Sequence, residues 1–180
     1  MNDKQFNDYV LQSGLVLGLV FGITIFVTYF LGLEIMVSWW IGLLYLGLAI
    51  AAPIYYGVKW RQFKGGYLDF KAAFLMIFSI YVVSSAISTV FNYVLNTVID
   101  PELPEAIFNE VLKTTVGFME NLGTPEAQID EAIEEMQRKN EPYGIVRVLK
   151  EYFYGLGLGA IIALIGGAII KKNPPVFDQQ

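Results

Sequence analysis

Cysteine and histidine are both absent from this chain of 180 residues. Without cysteine there is no disulfide, no thiol nucleophile and no thiolate metal ligand. Without histidine the commonest general acid–base group at neutral pH and the commonest transition-metal ligand are missing too. Haem, zinc and iron–sulfur chemistry are disfavoured by these two zeros alone. Charge is the third scarcity. Asp, Glu, Lys and Arg make up 16 % of the residues, and four long runs contain none of them: Tyr9–Leu33, Ile35–Val58, Ala72–Ile99 and Tyr152–Ile170. A helix needs roughly 20 apolar residues to cross a bilayer, and each run is at or near that length. With 55 % hydrophobic residues and a mean hydropathy of +0.51, the chain is too apolar for an ordinary soluble domain.

The predicted fold is therefore all-α. A single membrane domain, 1–180, has transmembrane helices over about 9–33, 35–58, 72–99 and 152–170, and an acidic amphipathic helical segment fills 100–151. The first run is about twice the roughly 7–15 residues of a signal-peptide core, and Asp3, Lys4 and Asp8 ahead of it give no positive excess. It reads as a retained span.

The remaining charges predict orientation. The link between spans two and three carries Lys59, Arg61, Lys64 and Lys71 against Asp69 alone, and Lys171 and Lys172 follow span four. The segment 100–151 holds 12 acidic residues against 5 basic ones. Positive charge stays on the cytoplasmic side. Both termini are thus expected in the cytoplasm and the acidic segment outside, against which only Arg147 and Lys150 run. Aromatics fall where amphipathic rings favour an interface: Trp39, Trp40, Tyr152 and Tyr154 at the outer side, Tyr55, Tyr56, Trp60 and Tyr67 at the inner.

Helices in lipid associate through close backbone approach and interhelical hydrogen bonds. Gly14, Gly18 and Gly22 place a small residue every fourth position in span one, and Gly155, Gly159, Ala163 and Gly167 do so in span four. Residues four apart share a helix face, so each set predicts a smooth packing face, directed at the other or at a symmetry mate. In span three Ser84, Ser88, Asn92 and Asn96 form a polar stripe, broadened by Ser85 and Thr89. Polar side chains in hydrocarbon need partners. The stripe is read as interhelical hydrogen bonding, or as the lining of a path for a small solute, with Asn96 close enough to the outer end to be wet. Pro53 predicts a kink or loosening in span two. No charged residue lies inside a span, which weighs against ion- or proton-coupled transport.

The acidic segment reads as two helices. Apolar residues recur at Ile107/Phe108, Val111/Leu112, Phe118/Met119 and Leu122, then at Ile129, Ala132/Ile133 and Met136. Gly123 supplies a stop, and Thr124-Pro125-Glu126 supplies an N-cap, a first-turn proline and an acidic first turn. Glu134/Arg138 and Glu135/Lys139 have ion-pair spacing. Pro142 opens a lead-in to span four. Glu126, Asp130 and Glu134 share a face, but they lack calcium-loop spacing and read as a solvated row.

The stretch Tyr56–Phe74, with its basic link, Gly65-Gly66 turn and Phe70-x-x-Ala73-Phe74 entry into span three, is similar to a known bacterial family. So is the exit Phe91-Asn92-Tyr93 … Val98-Ile99-Asp100-Pro101. Together they make the chain resemble the domain of unknown function 4199 family, small integral membrane proteins with four spans. The resemblance implies a bacterial inner membrane and a four-helix bundle, and carries no activity, catalytic residue or ligand. No cofactor, metal or nucleic acid is implied by the residues. Expected partners are membrane lipid and either a second copy of the chain or another membrane protein. The functional expectation is a non-enzymatic structural, oligomerising or accessory-subunit protein. The alternative is a small-solute or ion transporter or channel that uses the span-three stripe. An enzyme would have to rely on edge carboxylates such as Glu34, Asp69 or Asp100.

Overall fold

The computed structural model describes residues 3–174. Seven α-helices follow one another: α1 (Asp3–Leu31), α2 (Leu33–Met36), α3 (Trp39–Phe63), α4 (Phe70–Val94), α5 (Leu103–Asn121), α6 (Glu126–Lys139) and α7 (Ile145–Ile170). Four of them, α1, α3, α4 (with its extension to Ile99) and α7, are long and apolar enough to cross a membrane. There is no strand among the described residues beyond a single antiparallel bridge between Leu68 and Lys172. The four long helices form the expected bundle.

Helical ends differ from the charge-free runs for local reasons. Gly32 takes φ +108° and breaks the chain after α1, so the next residues form the separate turn α2 and span two starts at Trp39. Its helix runs on through Pro53, which is buried. Asp69 caps α4 by accepting from the Ala72 amide at 2.9 Å, the side-chain capping that favours Asp at helix starts. The lead-in to span four is not a separate helix: Ile145 opens α7, and Arg147, Lys150 and Glu151 lie in its first turns.

α4 is the centre of the bundle. It packs along α1 on one side and α7 on the other, and more briefly against α3. Ala73, Met76, Ile77 and Ile80 on α4 are completely buried, and Trp60, Ala163 and Ile170 close around them. The start of α1 and the end of α7 lie at the same end of the bundle, here the terminal end. There Phe6 and Tyr9 pack on Trp60, the Arg61 guanidinium donates to the Ile170 carbonyl at 2.8 Å, and Leu68 and Lys172 exchange backbone bonds at 2.8 and 2.9 Å.

The glycine stripes do not face one another, contrary to expectation. A Cβ on Gly14 would stand 2.6 Å from Val83, on Gly18 2.7 Å from Ile87, and on Gly22 2.5 Å from Phe91. Each of these neighbours is on α4, itself at four-residue spacing. On α7, Gly159 lies under the Tyr81 ring and Gly167 against the Phe74 backbone, while Gly155 is looser, with the Tyr81 hydroxyl 4.0 Å away. Ala163 is fully buried. The reason is complementarity of size. A ridge of Val83, Ile87, Phe91 and Tyr81 on one helix fills two grooves, which two smooth faces cannot do for each other.

At the other end, the head, α5 and α6 form a hairpin stopped by Gly123 at φ +72°. The start of α6 is capped by the Pro125 carbonyl, which accepts from Gln128 and Ile129, and not by the Thr124 side chain. Of the two spaced ion pairs on α6, Glu135–Lys139 forms.

Candidate functional site

The polar stripe Ser84, Ser85, Ser88, Thr89 and Asn92 occupies the half of α4 toward the head. The serine hydroxyls turn back on their own helix. Ser84 donates to the Tyr81 carbonyl at 3.1 Å, Ser85 to Val82 at 3.1 Å and Ser88 to Ser85 at 3.0 Å. This corrects the expectation of interhelical bonding: a serine at a helix interior has a carbonyl of the preceding turn within reach, so it needs no second helix. Asn96 is also not wet but buried, at 6 % exposure. Its amide donates to the Asn92 carbonyl at 2.8 Å and to the Asn92 side-chain oxygen at 3.1 Å. There the helix widens into a π turn, Leu95–Ile99, closed by the Asp100 amide on the Leu95 carbonyl at 2.8 Å. The competing Asn96 amide on the Asn92 carbonyl favours that widening, and such turns recur at functional sites. The Tyr29 hydroxyl, from the end of α1, donates to Asp100 at 3.1 Å and ties the turn down.

Around this stripe the helices part. A cavity of about 520 Å³ opens between α1, α3 and α4, lined by Phe21, Ile25, Thr28, Met36, Tyr45, Leu46, Ala49, Tyr81, Ser84, Ser85, Ser88 and Asn92. A smaller one of about 230 Å³ lies between α1, α4 and α7, and Ile25, Ser85, Ser88 and Asn92 border it too, with Thr89, Tyr143 and Glu151. A third, of about 580 Å³, sits in the head and is bordered by Asn96, Pro101, Phe108, Glu141, Tyr143 and Arg147. Asn92, Ser85 and Ser88 thus border both of the first two cavities, and Tyr143 borders both the second and the third. Toward the terminal end the series stops at the dry layer of Met76, Ile77 and Ile80.

Tyr143 closes the joint. Its hydroxyl hydrogen-bonds the Asn92 side chain across to α4, and the Arg147 guanidinium lies 5.5 Å from its ring centroid. Burial, and then the nearby Glu151 carboxylate, push its phenol up to about 12. It therefore stays a neutral donor across the physiological range.

The wall of the cavity between α1, α3 and α4 has a definite hydrogen-bonding sense. A hydroxyl has one proton and two acceptor lone pairs. Ser84, Ser85 and Ser88 have committed their protons to backbone carbonyls, as has Thr28, which donates to Ile25 at 2.9 Å and Thr24 at 3.0 Å. Their oxygens are left as acceptors. The Tyr45 hydroxyl is buried without any partner among the described residues, at a cost of about 1–3 kcal/mol. No lining residue of this cavity carries a charge.

Of the residues singled out in the sequence, Ser84, Ser85, Ser88 and Asn92 come together at this cavity, and Thr89 lines the smaller one. Asn96 reaches the head cavity. Gly14, Gly18, Gly22, Gly159 and Gly167 belong to packing surfaces instead. Tyr45, Thr28 and Tyr143 were not singled out. A tyrosine near the middle of a span is the missed signal for the first, because a phenol at that depth needs a partner. An aromatic among the helix-breaking residues Asn140–Gly144 is the signal for Tyr143.

A family model described as "Protein of unknown function (DUF4199)" matches residues 12–172, most of the chain. The chain belongs to the DUF4199 family. No curated protein and no solved structure matches it. The match runs from the third turn of α1 to the bridge residue Lys172, so it takes in most of α1, the whole of the other three long helices and the cavity between α1, α3 and α4.

Proposed function

We propose that this DUF4199 protein is a non-enzymatic, multi-pass membrane protein that takes a small uncharged solute, bearing N–H or O–H groups, into the cavity between α1, α3 and α4. The observation that carries this reading is the wall itself: four hydroxyl oxygens left as acceptors and one orphaned phenol, with no charge to compensate an ion. An ion there would lose its hydration without an opposite charge in return. A neutral donor loses much less and satisfies the acceptors. The shared lining through Tyr143 supports entry from the head, and the buried layer around Met76 is then the barrier that must part for the solute to cross. The charge distribution supports a bacterial inner-membrane placement with the head outside and both termini cytoplasmic. An oligomerising role loses its main support, because α4 already occupies the glycine faces.

A second reading has its own observation. Phe118 on α5 and Leu122 just after it are 64 % and 68 % exposed, outside the four long helices. An accessory role, with a membrane-protein partner seated on that face of the head, fits them.

The test is uptake by vesicles reconstituted with the full chain, using urea, glycerol and small amides as probes and sodium and chloride as controls. The expected result is uptake of at least one neutral probe above empty vesicles, lost in Asn92→Leu with helicity retained. No neutral uptake, or ion uptake alone, overturns the reading.

A further inference from the structure

We infer that the terminal end holds a site for a zwitterionic phospholipid headgroup carrying a primary ammonium. A cavity of about 550 Å³ lies there between the first turns of α1 and the last turns of α3, bordered by Gln5, Asp8, Gln12, Tyr55, Lys59 and Trp60 among others. Its depth is fixed by the sequence: one charge-free run begins at Tyr9, immediately after Asp8, and another ends at Val58, immediately before Lys59. The cavity therefore straddles the level at which lipid headgroups meet the hydrocarbon, and a lipid is the ligand that this depth supplies.

The chemistry of the wall selects the headgroup. It offers one carboxylate and one ammonium, Asp8 and Lys59, both exposed. Among the described residues every ion pair lies between Glu110 and Glu151, so neither Asp8 nor Lys59 is neutralised by the protein. The Lys59 ammonium rests 5.5 Å from the Tyr55 ring centroid, a loose contact that leaves its protons available. The indole N–H of Trp60 is buried and unpartnered in a side chain of 2 % exposure. One anionic and one cationic group on the protein match one cation and one anion on a zwitterion: the phosphate goes to Lys59 and the ammonium to Asp8, with the Gln5 and Gln12 amides one turn to either side of Asp8 on α1. An anionic headgroup satisfies Lys59 but leaves Asp8 facing a like charge. A choline headgroup has no N–H to give to the carboxylate.

This inference does not depend on the solute cavity, which lies in the other half of the bundle. It is tested on the full chain in nanodiscs of equimolar phosphatidylethanolamine, phosphatidylcholine and phosphatidylglycerol, extracted gently and read by native mass spectrometry. The expected result is preferential retention of phosphatidylethanolamine. Asp8→Asn is expected to lower that preference roughly two- to fivefold, the scale of an exposed ion pair, and Lys59→Gln to reduce retention of all three lipids. Both positions are exposed, so the bundle stays folded, as circular dichroism on each variant verifies. Phosphatidylglycerol or phosphatidylcholine retained as strongly as phosphatidylethanolamine by the natural chain, or an Asp8→Asn variant with unchanged preference, overturns the inference.

Discussion

At the scale of single residues, the glycines separate into two kinds that look alike in sequence. Gly18 faces the Ile87 side chain and the Ser84 carbonyl at distances no Cβ tolerates, 2.7 and 2.9 Å, whereas nothing lies within 4 Å of Gly47. Glycine costs a helix up to about 1 kcal/mol relative to alanine, and only the first kind returns that as close approach. Gly18→Ala is expected to destabilise the bundle by about 1–3 kcal/mol through overpacking, and Gly47→Ala to be neutral or slightly stabilising, as read by thermal unfolding in detergent. Tyr143 gives a pH test. Its phenol has an ordinary value of 10.0 and is raised to about 12 in the folded protein. The unfolded chain therefore releases this proton first. The stabilisation is complete below pH 10 and is lost as pH rises from 10 toward 12. Tyr143→Phe is expected to flatten the loss of stability over that window. An unchanged alkaline profile contradicts the burial and the Asn92 bond assigned to Tyr143.

At the scale of elements, the joint between head and bundle is held by Glu141. Its carboxylate accepts from Lys150 at 2.9 Å, and its carbonyl accepts from Arg147 at 2.7 Å. The hydrogen bond from Lys150 and then its charge hold the Glu141 carboxyl below its ordinary 4.5. The contribution is present above that value and is lost as pH falls through the lower folded one. Hydrogen-exchange protection over 140–151, taken relative to the intrinsic rate at each pH, is expected to fall in acid and to be lower already at neutral pH in Glu141→Gln. Equal exchange in the two proteins at pH 7 counts against the clamp. The elements themselves were legible: charge-free runs mark the four long helices, and Gly123 marks the turn of the hairpin. The turn α2 was not, because one Gly32 in a left-handed conformation sets it, inside a run that is apolar throughout. Nor was the hydroxyl pattern on α4. A spacing of four shows which face is polar, but whether its protons go to another helix or back to the preceding turn depends on rotamer and backbone, which periodicity does not carry.

At the scale of the whole molecule, α4 is central because it carries both the ridge of Tyr81, Val83, Ile87 and Phe91 that fills the glycine grooves and, interleaved with it, Ser84, Ser85, Ser88 and Asn92, which are too small and polar to fill the space they face. The layer of Met76, Ile77 and Ile80 is fully buried, whereas packing fails on the face that carries the serines and Asn92 and leaves the cavities there. The sequence showed each stripe but not that one helix presents the ridge to two neighbours, since partner choice among helices is a three-body question. Because the chain has no cysteine, a single introduced thiol reports its own surroundings without background. The decisive measurement is the reactivity of Ser88→Cys and Met76→Cys, in sealed vesicles of known orientation, toward a small water-soluble, membrane-impermeant thiol reagent. Ser88→Cys is expected to react from the head side, more slowly when a bound neutral solute is present, and Met76→Cys to be inert. A Ser88→Cys thiol as unreactive as that at Met76, or one reached only from the terminal side, would contradict entry from the head.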